Sequence, residues 1–389
     1  MRSPWDSWFS FQSLPTGRVV VVMVIATLLA AADWLPPNPY VDPDTLELWL
    51  TAALAGSAIL MSLADRLDRE AIVAIRNRAI LLAVTFSILA VGAEFATRYL
   101  FRTVTTSSDF GGYFSRRWAR MDVPSLNHGG FRGREYTDTK PAGVFRIAAV
   151  GDSFTYGNGI RQQDRYSDLL QAQLGSHFEV LNFGRPGANT PEHRTLVEEL
   201  LPTIRPDFIL LQWYINDVEG DSSEGRPTFR PLLPFASLHN WLNSESAFYT
   251  VATMQWAETQ VALGMTTSYA DYLKRRFTDP NSRDSKLGRG ELEKLIAAAE
   301  QQHVPVGIVL FPDTAAPIDE HYPFGYLHDR VLDVCAEHKM TCLDLRADFA
   351  PIKDRQTLWA NRLDHHPSAR ANAIAAERML TTFSALWAK

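Results

Sequence analysis

The sequence predicts an α/β protein with a five-stranded parallel sheet, preceded by three membrane-spanning helices. Three observations lead there. The long apolar runs sit mostly in the first hundred of 389 residues. From Phe145 onward, short continuous apolar runs alternate with helical patterns. Residues suited to chemistry recur where the short runs end. Hydrophobic residues make up 46% and charged residues 21%, the balance of a folded chain and not of a disordered one. The net charge of −6 and pI near 5.9 lack the basic face that nucleic-acid binding calls for.

The first region is residues 1–102. Apolar stretches predict transmembrane helices at about 18–35, 47–64 and 79–101, close to the roughly 17–25 residues that cross a bilayer core. A signal peptide would explain the first stretch alone. No small-residue cleavage site marks its end near Trp34-Leu35-Pro36-Pro37, and two more apolar stretches follow. A buried helical domain is the other reading, against which stands apolarity on all sides with charged ends. Loop charges give the orientation. Pro36–Glu47 carries Asp42, Asp44 and Glu47 without Lys or Arg, whereas Asp65–Arg78 carries Arg66, Arg69, Arg76 and Arg78. Positive loops stay inside, so the second loop is cytoplasmic, the first external, and the N-terminus, with Arg2 and Arg18, cytoplasmic. Everything after Arg102 then lies outside the cytoplasm, in a periplasmic setting, although Arg98 and Arg102 on the outer side run against the trend. Trp34, Trp49 and Tyr99 stand at segment ends, where amphipathic rings prefer the interface. Glu94 in the third helix is a candidate functional acid, because charge at membrane depth is costly. Snorkelling to the nearby outer end is the plainer reading.

Residues 103–144 form a connector, with Asn127–Gly133 as its most ordered-looking piece. Residues 145–389 carry the alternating pattern. Strands are expected at Phe145–Val150, Glu179–Phe183, Phe208–Trp213, Val306–Leu310 and Cys342–Leu345. Helices are expected at Arg161–Gly175, Pro191–Ile204, Gly288–His303, Gly325–Lys339 and Pro367–Leu386, the last with proline where its missing N–H costs least. Continuous apolar strands separated by helices mean a parallel sheet covered on both faces. Sites in such sheets lie outside the carboxyl ends of the strands. Residues 219–287 interrupt the alternation with a polar stretch and then Phe229, Phe235, Trp241, Phe248, Tyr249, Trp256, Tyr269, Tyr272 and Phe277. That is too long for a plain connection; it reads as a lid or substrate-side subdomain, or as a helical insertion packed on the sheet. Cys335 and Cys342 suit either a disulfide in an oxidising compartment or two buried thiols. Glu337 and His338 between them do not complete a zinc pattern.

Four strand or helix ends carry chemistry. Gly151-Asp152-Ser153-Phe154 places a serine between the first strand and a helix, where backbone N–H groups can face an oxyanion; a serine helix cap would look the same. Asn182–Thr190 has Gly187, whose N–H can face a site above the sheet, or which simply serves a tight turn. Trp213-Tyr214-Ile215-Asn216-Asp217 offers an Asn amide as a second donor, or an Asx-turn. Asp364-His365-His366-Pro367 supplies a histidine with a carboxylate two residues away. In an extended segment both point the same way, and a carboxylate fixes the tautomer of a histidine base. Each block has a bland explanation, but the four occur together and in order.

On these blocks the sequence resembles the SGNH (GDSL-like) hydrolase family over about residues 145–389. The resemblance implies a flavodoxin-like three-layer fold and a Ser-His-Asp hydrolase: Ser153 as nucleophile, His366 as base, Asp364 as its partner, and an oxyanion hole from Ser153, Gly187 and Asn216. Asp152, Tyr214 and Asp217 are supporting residues, Asp152 as a brace of the nucleophile loop. Two departures stand out. Tyr214 occupies the place, two before the Asn, where the family usually has Gly. The common Asp-x-x-His spacing would put Leu363 at the acid position, so the acid here is Asp364. His365 is the alternative base, and Pro367 directly after His366 favours His366.

The implied activity is that of an extracytoplasmic, membrane-anchored ester hydrolase acting through an acyl-enzyme, without metal or organic cofactor. Its substrate is an ester-bearing lipid, acylated glycan or small ester, its partner is the lipid bilayer, and any membrane-protein partner is unidentified. An O-acyltransferase on a cell-envelope glycan, and a silent binding or assembly module, are the competing readings.

Overall fold

The computed structural model describes residues 69–108, 111–121, 126–220 and 225–387. The spans expected at about 18–35 and 47–64 lie outside the described residues. The chain divides into two compact units. One takes in residues up to Phe101 together with Leu233–Phe248; the other takes in Arg102–Leu232 and Tyr249–Lys389.

In the first unit a single helix runs from Arg69 to Leu100. Its stretch Val73–Leu100 is long and apolar enough to cross a membrane, with mean hydropathy 2.1, and nearly all of it is exposed, Thr97 being buried. The third span was expected to start near residue 79. Residues 69–78, expected in a loop, are helical instead. Alanine, arginine and isoleucine propagate a helix there, and no glycine or proline stops it. Near its end, Glu94 Oε1 accepts from Arg98 Nε at 2.5 Å and from the Ala247 N–H at 3.0 Å. Glu94 Oε2 accepts from Ser246 Oγ at 2.7 Å and from the Phe248 N–H at 3.0 Å. The carboxylate thus caps the helix Ala247–Ala262 from another part of the chain, filling the role that a local N-cap side chain usually takes.

The second unit is built on one parallel sheet of β1 (Phe145–Gly151), β2 (Phe178–Gly184), β3 (Phe208–Trp213), β4 (Val306–Leu310) and β5 (Cys342–Asp344), in the order β2-β1-β3-β4-β5. Register pairs Gly151 with Gly184, so β1 and β2 end level. Side chains alternate between faces. Ile147, Ala149, Phe208, Leu210 and Val309 pack with helices Tyr166–Leu174 and Ala369–Trp387. Ala148, Val150, Ile209, Leu211 and Ile308 pack with helices Thr190–Ile204, Arg283–Gln301 and Gly325–Glu337. Burial on both faces explains why the strands read as unbroken apolar runs. Each buried Leu, Ile, Val or Phe contributes about 1.5–3 kcal/mol. Strand order reverses direction at β1, and the carboxyl ends beside such a switch form the crevice used for sites.

Two expectations in this unit need correction. The helix expected over Arg161–Gly175 is a 3-10 turn, Gln162–Asp164, followed by a helix from Tyr166. Arg165 between them is extended, and its buried guanidinium donates to the Arg132 carbonyl at 2.6 Å. The last helix starts at Ala369, not at Pro367. Pro367 instead ends β7 (Asp364–Pro367), which pairs antiparallel with β6 (Trp359–Asn361); a two-stranded ribbon is all edge, where proline is tolerated. The interrupting segment folds as helices Ala236–Glu245, Ala247–Ala262 and Tyr269–Phe277. Between the two cysteine readings, the structure has the disulfide Cys335–Cys342.

Candidate active site

The carboxyl end of β1 turns sharply into the four-residue helix Ser153–Tyr156. Asp152 holds the turn from both sides: its carboxylate accepts from the Phe154 N–H at 2.9 Å, and its own N–H donates to Gln212 Oε1 at 3.1 Å. Gln212 Oε1 also accepts from Thr155 Oγ1 at 2.8 Å, and Asn182 Nδ2 donates to the Thr155 carbonyl at 2.6 Å. Gly157, at φ 79°, closes the turn with its N–H on the Ser153 carbonyl at 3.0 Å. Buried Arg132 donates to the carbonyls of Tyr156, Gly157 and Ile160 at 3.1, 2.7 and 2.9 Å, satisfying acceptors that a helix end leaves open. Gly184 permits the close packing: a Cβ there would stand 2.1 Å from the Tyr156 nitrogen.

Ser153 emerges from this turn 8% exposed. His366 Nε2 lies 2.9 Å from Ser153 Oγ. His366 Nδ1 lies 2.5 Å from Asp364 Oδ1, which also accepts the His366 N–H at 3.0 Å. Asp364 and His366 are alternate residues of β7 and so share one face. Burial works against an imidazolium at His366, yet the Asp364 charge and hydrogen bond outweigh it and raise the pKa. Burial likewise works against charge on Asp364, but His366, its N–H and the Thr106 hydroxyl hold the carboxyl below its ordinary range. Burial and the charge of Asp217 push Asp152 up to about 6.

The loops after β2 and β3 meet beside the serine turn. Gly187 has φ 81°, and the space where a Cβ would project is open. Asn216 Nδ2 donates to the Ala188 carbonyl at 2.9 Å, which leaves the amide its second hydrogen. Thr190 Oγ1 donates to the Asp217 carbonyl at 2.8 Å. Asp217 Oδ2 accepts the Tyr214 N–H at 2.8 Å, and Asp217 Oδ1 faces His193 Nε2 at 3.1 Å, both side chains buried. Burial opposes protonation of His193, and the Asp217 charge more than offsets it, raising its pKa. The Tyr214 ring lies 4.3 Å from that of Phe154, itself 5.5 Å from His366, so an aromatic wall flanks the serine. His365 instead stands 4.3 Å from the Trp359 ring and is exposed.

Ser153, His366 and Asp364 are therefore brought into one hydrogen-bonded series, with Asp152, Gly187, Tyr214, Asn216 and Asp217 on loops around them. Gln212, Asn182, Arg132, Thr106 and His193 were not anticipated. Gln212 and Asn182 left a signal, as polar residues interrupting apolar strands. Among the described residues no group of three or more His, Cys, Asp or Glu is placed to hold a metal ion.

The parallel sheet thus carries serine, histidine and aspartate linked in series at its carboxyl edge. The profile of the GDSL-like Lipase/Acylhydrolase family matches residues 149–374, and the chain belongs to that family, whose members act on esters. No functionally curated protein is matched. Among solved structures, a lipolytic protein of the G-D-S-L family from Veillonella parvula is 17% identical, covering 62% of this chain and 99% of its own at TM-score 0.39. A psychrotrophic esterase from a Pseudoalteromonas species is 12% identical, with coverages of 63% and 99% and TM-score 0.37. A lipase/acylhydrolase from Enterococcus faecalis is 15% identical, with coverages of 62% and 97% and TM-score 0.39.

Proposed function

We propose that this protein is a membrane-anchored serine ester hydrolase whose catalytic domain, residues 145–389, works outside the cytoplasm. The observation that carries the reading is the 2.9 Å approach of His366 Nε2 to Ser153 Oγ with Asp364 behind the ring. Ser153 Oγ attacks the ester carbonyl carbon while His366 Nε2 takes its proton. The oxyanion receives the N–H groups of Ser153 and Gly187 and the free hydrogen of the Asn216 amide. His366 returns the proton to the leaving alkoxide, giving the alcohol and an acyl-serine. Water, deprotonated by His366, then attacks the acyl-serine and releases the acid. Asp364 keeps the imidazole in the tautomer with its lone pair on Nε2 and stabilises the imidazolium.

Anchoring rests on Val73–Leu100 as a span and on the two earlier apolar stretches. Orientation rests on Arg66 and Arg69, which precede that span, and on Arg76 and Arg78 in its first two turns. The disulfide Cys335–Cys342 supports it, since such bonds persist in oxidising compartments.

The test is p-nitrophenyl acetate hydrolysis by the full-length protein in detergent, beside Ser153→Ala. Loss of several orders of magnitude in the variant, with unchanged melting, is the expected outcome. Equal rates would remove Ser153 as nucleophile. Adding a glycan acceptor to the wild type separates hydrolysis from acyl transfer, because only a transferase forms an acylated sugar.

A further inference from the structure

Residues Pro231–Ser244 contain no Asp, Glu, Lys or Arg, but do contain Leu232, Leu233, Phe235, Leu238, Trp241 and Leu242. Within this stretch, the helix Ala236–Glu245 buries only Ser244. Leu238 is 43% exposed, and Phe248, just beyond the helix, is 45% exposed. A helix at a water-facing surface shows charge on its outer side and hides its leucines. This one shows leucine and carries no charge before Glu245.

Its neighbour in the same unit says what covers it. Glu94 binds Ser246, Ala247 and Phe248, and Arg98 Nη2 donates to the Glu245 carbonyl at 3.1 Å. Both side chains belong to the last two turns of the apolar stretch Val73–Leu100. Glu94 is six residues from Leu100, about 9 Å along a helix axis. Residues 245–248 are thus pinned within about 9 Å of the end of the apolar helix. Helices lying in a bilayer interface bury their apolar side chains about 5–10 Å into the headgroup and acyl boundary, and the two depths match.

We propose that Ala236–Phe248 is an interfacial element: it lies in the headgroup region of the leaflet in which Val73–Leu100 ends, with Leu238 and Phe248 against lipid. The inference rests on the membrane-anchor reading above. It gives Glu94 a role other than chemistry. The carboxylate pairs with Arg98 and satisfies two backbone N–H groups that lipid would leave without partners.

The experiment uses full-length protein in phosphatidylcholine vesicles. Ile88→Cys, Leu238→Cys and Phe248→Cys, made singly, are labelled with a nitrobenzoxadiazole fluorophore; the native cysteines are paired and do not react. Doxyl-labelled phosphatidylcholine, with the spin label deep or near the headgroup, reports lipid contact, and aqueous iodide reports water. The expected result is loss of Ile88 fluorescence with deep doxyl. Leu238 and Phe248 should lose fluorescence with headgroup-proximal doxyl and be shielded from iodide. The proposal is overturned if Ile88 is quenched by lipid while Leu238 and Phe248 respond only to iodide. If Ile88 too responds only to iodide, the span itself is wrong, and both readings fall.

Discussion

His366 and Asp364 shift in opposite directions because each sits beside the other's charge. In its proposed role as general base, His366 works only when neutral. Its raised pKa places the acid limb of kcat/KM above the ordinary imidazole value of about 6.5. In Asp364→Asn the attraction is gone while burial remains, so the limb should move to lower pH, and kcat should fall by about 10⁴, as in serine-protease triads. An identical pH profile in the variant would show that Asp364 is not the partner. The sign for folding differs between the two groups. His366 contributes stability at low pH that is lost as pH rises through its raised value. Asp364 contributes stability at high pH that is lost as pH falls through its lowered value. The pair therefore stabilises most between those two values. The second buried His-Asp pair, His193 with Asp217, touches no reacting atom. It sets the helix that follows the Gly187 loop against the loop of Asn216, where Asp217 also accepts the Tyr214 N–H. Removing an oxyanion donor costs about 10²–10³ in kcat, and loosening its support should cost less. His193→Leu should lower kcat by roughly tenfold with KM unchanged, and His193→Gln, which can keep a donor near the Nε2 position, should recover most of it. Full kcat in the leucine variant would reduce the pair to packing.

Between single residues and the fold stand the turn and its backing strand. A Cβ at Gly184 would sit 2.1 Å from the Tyr156 nitrogen and 2.6 Å from the Thr155 carbonyl carbon. Both are backbone atoms that cannot swing aside. Gly184→Ala must therefore separate β2 from the Ser153 turn, with a cost at or above the ~1–3 kcal/mol of an overpacked core. Thermal melting should drop, and hydrolysis should fall even in the fraction still folded; an unshifted melt with full activity would mean that the turn moves freely. The sequence shows this element only in part. The strands are legible because burial on both faces leaves unbroken apolar runs, and the site blocks because they follow those runs. The break at Arg165 is not legible, since an arginine bonded to the distant Arg132 carbonyl sets it. Nor is the β6–β7 ribbon, whose strands are too short for a periodic pattern. His193 reads as an ordinary helix residue until the fold sets it against Asp217.

At the scale of the whole molecule, the disulfide ties location to stability. Cys335 ends one helix face and Cys342 opens β5, seven residues on. Closing so short a loop stabilises by about 2–3 kcal/mol in the chain-entropy account, or roughly 5–10 °C of melting temperature for a domain of this size. In the sheet β5 lies three strands from β1, about 14 Å at the usual strand spacing. Reduction should therefore lower the melting temperature while leaving room-temperature hydrolysis nearly intact. The same bond reports topology. A periplasmic domain forms it, and a cytoplasmic one keeps both thiols reduced. Protein taken from native membranes, denatured without reductant and treated with a polymer-linked maleimide, should show no mass shift; prior reduction should give two adducts. Two adducts without reduction would place the domain in the cytoplasm. That would reverse the orientation read from the arginines of residues 65–78, while leaving the chemistry proposed for Ser153, His366 and Asp364 untouched.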